Sequence, residues 1–214
     1  MNLFETHQLK PSRVMKHSAS IFTALLFFAV AVRAESPMQE VKTTTEKILV
    51  LLNDPKVQGD SKKDERRRLV RAEAEKRFAW DQSARACLGR HWLKRTPSER
   101  AEFVTVFSEF LKDNYSDKIA TYYNDLDKVD YRSEKIIDDC ASVKLVLTTK
   151  AKVEHPVEYR MKKTPSGDDW KVYDVVIEGV SLVKNYRDQF DAIITKSSYE
   201  ELLKEIKGKQ TVLP

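Results

Sequence analysis

Trp170 to Phe190 reads WKVYDVVIEGVSLVKNYRDQF, and the way this stretch divides decides the fold. Its first half carries Trp170, Val172, Val175, Val176 and Ile177, apolar and β-branched or aromatic residues that suit a well-covered strand. Gly179 permits a sharp backbone turn. Ser181 can then cap a helix that places Leu182, Tyr186, Phe190 and Ile193–Ile194 on one face. A strand is thus expected to run through Glu178-Gly179 straight into an amphipathic helix.

Outward from there the order is helices, then strands, then helices, which predicts an α+β domain with an antiparallel sheet. Pro37 suits a first helical position, followed by Val41, Ile48, Leu49, Leu51 and Leu52. Residues 53–59 break that helix. Ser61 with Asp64 is expected to cap the next one, which carries Leu69, Val70, Ala74 and Phe78. Asp81 is expected to cap a short helix through Ala84 and Leu88 to Trp92. Thr96-Pro97-Ser98-Glu99 is a helix start in every position: cap, proline first, glutamate third. The long helix behind it aligns Phe103, Phe107, Phe110, Leu111, Tyr115, Ile119 and Tyr122. Strands are expected at 129–136, 140–150 and 156–163, where inward residues alternate with Glu158, Arg160 and Lys162. Residues 164–168 form a turn that makes a hairpin with the strand at 170. Helices at about 182–195 and 198–206 complete the order, and the tail after Lys207 is expected to be disordered.

The N-terminus reads as a targeting segment. Residues 21–32, IFTALLFFAVAV, have the length of a signal-peptide apolar core and are short for a membrane span. Lys16 precedes them, and Val32-Arg33-Ala34 points to cleavage after Ala34. Residues 1–34 are therefore expected to be a signal peptide, with Met15 as a more ordinary start. An uncleaved anchor is the other reading. The residue after the cleavage point is Glu35 and not a cysteine, which argues against a lipoprotein anchor. The segment holds Lys10, Arg13, Lys16 and Arg33 against Glu5, so its removal lowers the net charge from +5 to +2. A nucleic-acid role thereby loses its main support. Residues 62–68, KKDERRR, are basic but interleaved with acids and read as a solvated helix start. Residues 35–206 then make one domain with a sizeable core.

Catalytic patterns are missing. There is no GxSxG, no phosphate-binding glycine loop and no HExxH, and His91, His155, Cys87 and Cys140 show no metal spacing. Two readings of the cysteines stand: a disulfide, which an oxidising compartment allows, or two buried small residues. Asp174, inside an apolar strand, also has two readings. It either hydrogen-bonds to fix the sheet-to-helix turn, or serves as an acid–base group in a cone-shaped enzyme pocket.

Residues 170–190, together with Tyr199-Glu200-Glu201-Leu202-Leu203, Leu88-Gly89-Arg90-His91-Trp92 and Thr96-Pro97-Ser98-Glu99-Arg100, resemble the signature of the MlaC (toluene-tolerance) family. The resemblance covers residues 37 to 206. It implies a periplasmic carrier, not an enzyme, that binds glycerophospholipid as cargo and uses no cofactor. The implied partners are an inner-membrane ABC transporter complex with a lipid-binding subunit and an outer-membrane lipoprotein complex. It also implies a curved four-stranded antiparallel sheet packed against several helices, with an apolar cavity between them, in a chain expected to be a monomer. Carried onto this chain, the cavity candidates on the long helix are Phe103, Phe107, Leu111 and Tyr115. On the sheet they are Val143, Leu145, Leu147, Val157, Tyr159 and Met161. Val175, Ile177, Val180 and Leu182 bracket the Gly179 turn. Tyr115 and Tyr159 are expected at the mouth, since each joins an apolar ring to a polar tip. The competing readings are a carrier of another apolar lipid such as a hopanoid, a small-molecule enzyme, and a structural adaptor with a filled core.

Overall fold

The computed structural model describes residues 35–167 and 169–208, with the side chains of 116–122 and 124 excepted. The expected signal peptide, the tail beyond residue 208, Asp168 of the turn, and the side chains of Ile119 and Tyr122 lie outside the described residues. Helix α1 (Pro37–Asn53) opens as its sequence suggests: Ser36 accepts a hydrogen bond from the Gln39 N–H, and Pro37 takes the first turn. Helix α2 (Lys63–Glu75) has no side-chain cap, because the 3-10 turn Asp60–Lys62 runs directly into it. Helix α3 (Trp80–Leu88) also starts without one, and Asp81 lies inside its first turn. A 3-10 turn (Gly89–Lys94) follows. Helix α4 (Pro97–Asp125) begins with the full capping box, in which Glu99 accepts from the Thr96 N–H and Thr96 from the Glu99 N–H. None of the described helices is long and apolar enough to cross a membrane.

The sheet is an antiparallel meander of five strands: β1 (Leu126–Ile137), β2 (Cys140–Thr149), β3 (Glu154–Lys163), β4 (Trp170–Ile177) and β5 (Val180–Ser181). The fifth corrects the expectation of four strands running straight into a helix. Glu178 and Gly179 both take positive φ (51° and 83°), closing a two-residue hairpin between β4 and β5. Ser181 then caps α5 (Leu182–Lys196), and α6 (Tyr199–Lys207) follows.

A bulge decides what each face of β4 carries. Arg160 pairs with Asp174 but Met161 pairs with Val172, so Tyr173 is the extra residue. Val172 and Val175, three apart, therefore share one face of the sheet. Asp174 is turned to the other face, beneath the start of α5. The free edge of β4 at Val172 is covered by the chain between α2 and α3. There the Ala79 N–H donates to the Val172 carbonyl and the Val172 N–H to that of Arg77, at 2.8 and 2.7 Å.

Two apolar regions result. In the first, α3, α4, α5 and α6 close on Phe103, Phe107, Phe110, Tyr186, Phe190 and Leu202. Rings meet edge to face, Phe103 with Phe190 at 6.0 Å and Phe107 with Tyr186 at 5.9 Å. In the second, the concave sheet face packs on α1 through Val41, Val143, Leu145, Met161 and Val172, and α1 meets α2 through Ile48, Leu52 and Val70.

Candidate ligand chamber

The second region does not close. A chamber of about 320 Å³ remains between α1, α2, α4 and the sheet. Its volume lies at the lower end of the roughly 300–1,000 Å³ of ligand pockets. The sheet contributes Leu147, Val157, Tyr159, Val172, Val175 and Ile177; α4 contributes Leu111, Tyr115 and Tyr123; Leu182 enters from α5. Helix α1 supplies Val41, Thr44, Thr45 and Ile48, and α2 supplies Val70 and Ala74. Phe78 and Trp80 stack at 4.9 Å beside it.

The charged side chains of the lining are paired. On one side Arg71 of α2 pairs with Glu75, Glu109 and Asp113, and Lys112 with Glu75 and Glu109. Lys112 also lies 5.3 Å above the Trp80 ring. Hydrogen bonding from Lys112, assisted by Arg71, outweighs partial burial and holds the Glu109 carboxyl below its usual range. On another side His155 Nδ1 lies 2.7 Å from Glu178, which joins the start of β3 to the β4–β5 turn. Arg77 is a third largely buried cation of the lining. It bonds Glu40, Asp169, the Thr44 hydroxyl and the Trp170 carbonyl, tying α1 to the sheet. Burial raises the Glu40 pKa against the pull of Arg77. Asp169 resists its own burial through Lys171 and Arg77 and is lowered.

The sequence candidates divide between the two regions. Leu111, Tyr115, Leu147, Val157, Tyr159, Val175, Ile177 and Leu182 line the chamber. Phe103 and Phe107 do not; they are fully buried in the helical core, where aromatic rings fill the space. Val143, Leu145 and Met161 also do not, being covered by α1 and their strand neighbours. Val180 is 53% exposed on the hairpin's outer strand. Sequence reasoning missed Val41 and Ile48, one heptad apart on α1, and Val70 and Ala74, one turn apart on α2. Those stripes were visible as amphipathic spacing, but nothing in them separates chamber wall from core. Tyr159 lines the chamber from β3, and burial pushes its phenol pKa far up.

The remaining motifs are architectural. Asp174, 4% exposed, accepts from the Val183 N–H, the Ser181 hydroxyl and Arg160 at 3.0, 2.7 and 3.1 Å. It fixes the sheet-to-helix turn on the face away from the chamber, and these three donors occupy its carboxylate. His91 is buried against Asp191 at 2.8 Å, which anchors the Gly89–Lys94 turn to α5. Gly89 has φ of 54°, and a Cβ there would meet the Arg187 side chain at 3.3 Å. Cys87 and Cys140 are not bridged. Among the described residues, no three His, Cys, Asp or Glu side chains converge as a metal site.

An antiparallel meander packed against helices around a mostly apolar chamber defines an α+β fold with room for a ligand. The chain belongs to the MlaC protein family, whose model matches residues 42–208. It is 23% identical over 188 residues to the intermembrane phospholipid transport system binding protein MlaC of Haemophilus influenzae, covering 86% of each chain. Over 99 residues it is 31% identical to toluene tolerance protein ttg2D of Pseudomonas putida, covering 45% of this chain and 44% of that one. Its fold is shared with a phospholipid-binding protein from Ralstonia solanacearum solved in complex with a phospholipid. The TM-score is 0.67 and the identity 24%, over 82% of this chain and 98% of that one.

Proposed function

We propose that this protein is a periplasmic phospholipid-binding shuttle. Its chamber holds acyl chains, and it passes lipid between outer- and inner-membrane components of an ABC transport system. The observation that carries the reading is the chamber itself, lined mostly by apolar and aromatic side chains, in a member of the MlaC family. Leu111, Leu147, Val157, Val175, Ile177 and Leu182 are the proposed acyl contacts from the sequence set, joined by Val41, Ile48, Val70 and Ala74. Tyr115 and Tyr159 are proposed to add polar tips to that wall. Residues 1–34 are proposed to direct export and to be removed.

The energetics favour hand-over by contact. Burying a methylene is worth about 0.8 kcal/mol, so two long acyl chains gain on the order of 20 kcal/mol, near the practical ceiling of non-covalent affinity. Release into water is then very slow, and transfer requires a membrane-bound partner with a comparably apolar site. The transporter's ATPase would supply the energy.

The test is mass spectrometry of organic extracts of the protein purified without detergent from a periplasmic fraction. Phospholipid near one molecule per protein is expected. An empty, folded protein would refute the carrier reading and favour a structural adaptor. Rapid loss of lipid into plain buffer with no acceptor would refute transfer by contact.

A further inference from the structure

Among the described tyrosines of the chamber wall, one has a hydroxyl that no protein group holds. Of the tyrosines that line it, Tyr115 has its hydroxyl 3.4 Å from that of Tyr186. Tyr123 has the Thr45 hydroxyl as its neighbour, which eases a pKa that burial raises to about 12. Tyr159 has no hydrogen-bond partner among the described residues, and its side chain opens onto the chamber. Across the strands it faces Val143 on one side and Val175 on the other, which offer no acceptor from their side chains. The nearest titratable groups are Tyr123 and Tyr131, and both are themselves weakly acidic phenols. A tyrosine hydroxyl that no protein group holds can donate to whatever occupies the space it lines.

Tyr159 is therefore a donor waiting for an acceptor that arrives with the ligand. Its phenol stays protonated at any physiological pH, because burial disfavours the phenolate. It sits on β3 four residues from His155, about 13 Å along the strand. A diacyl glycerophospholipid brings few acceptors past its headgroup into such a space. They are the ester carbonyl oxygens that begin the two acyl chains.

Resting on the carrier reading, we infer that Tyr159 donates a hydrogen bond to an ester carbonyl of the bound lipid and so selects ester-linked over ether-linked chains. The surrounding apolar wall recognises chain volume alone and cannot make that distinction. Tyr159 is a specificity residue in this scheme, and it fixes how far the glycerol enters.

The experiment is competition for the delipidated protein between two phosphatidylethanolamines of equal chain length, one diacyl and one dialkyl, read by native mass spectrometry. The ether lipid keeps headgroup and chains but lacks both carbonyls. Wild type should prefer the diacyl lipid about three- to tenfold, the worth of one hydrogen bond. Tyr159→Phe, which keeps the ring, should reduce the preference to within about twofold while thermal melting confirms folding. Equal loading of the two lipids by wild type would overturn the inference without recourse to any variant. So would a preference that survives in Tyr159→Phe. Failure of both lipids to load would instead overturn the carrier reading on which it rests.

Discussion

The helical core and the chamber are built from the same kinds of residue, yet one is full and the other is not. Helices α3 to α6 bring Phe103, Phe107, Phe110, Tyr186 and Phe190 to one point, and their rings consume the space between the axes. Against the sheet, α1 and α2 present Val41, Ile48, Val70 and Ala74 to the chamber, with Thr44, Thr45, Arg71 and Glu75. Smaller side chains facing a curved surface cannot reach across it. A void persists wherever facing elements are held apart by something other than the side chains between them. Here the spacing is fixed at the chamber's edges by Arg77 between α1 and the sheet, and by Arg71 between α2 and α4.

If that contrast is right, removing volume should hurt the full region most. Phe107→Ala should cost about 3–5 kcal/mol in chemical denaturation, because the aromatic cluster leaves nothing flexible to collapse into the hole. A loss below about 1 kcal/mol would mean that the helical core is looser than its ring contacts indicate.

The seam between the two regions comes next. Asp174 secures the first turn of α5, which belongs to the full core, to the strand whose other face lines the chamber. Asp174→Asn removes a charge-assisted acceptor and should cost about 1–3 kcal/mol. Bound lipid should remain. Loss of lipid at unchanged stability would instead couple the seam to the chamber.

Adding volume should have the opposite ranking. Leu147→Trp points a large ring into space that is already empty, so the stability of the unliganded protein should change by less than about 1 kcal/mol, where overpacking a filled core costs about 1–3. Lipid recovered per protein should fall. An intact lipid load with a large loss of stability would show that Leu147 is ordinary core.

Much of this architecture was legible in the sequence, and the limits are physical. The capping box at Thr96 and Glu99, the Ser181 cap and the hydrogen-bonding role of Asp174 follow from local chemistry, which a few neighbouring residues determine. The strand alternation in β2 and β3 follows from their period. What could not be read was where alternation slips: the Tyr173 bulge depends on pairing across strands, and it alone puts Val172 and Val175 on the same wall. Nor could spacing divide Phe107 from Leu111. They sit one turn apart on α4, and only the elements opposite them make one core and the other chamber.

The gentlest probe of the contrast uses the two thiols. Cys87 lies within the full core, and burial pushes its thiol far above the ordinary range; Cys140, at the start of β2, is only half-buried. In the native protein a thiol reagent should therefore titrate one cysteine, and denaturant should release the second. Cys140→Ser should change stability by no more than about 0.5 kcal/mol, as for a position outside either apolar region. A native protein with no reactive thiol, whose stability drops when reduced, would mean that the two cysteines are bridged. Cys87 would then have left its packed site on α3, and the full core would be less fixed than the chamber it is compared with.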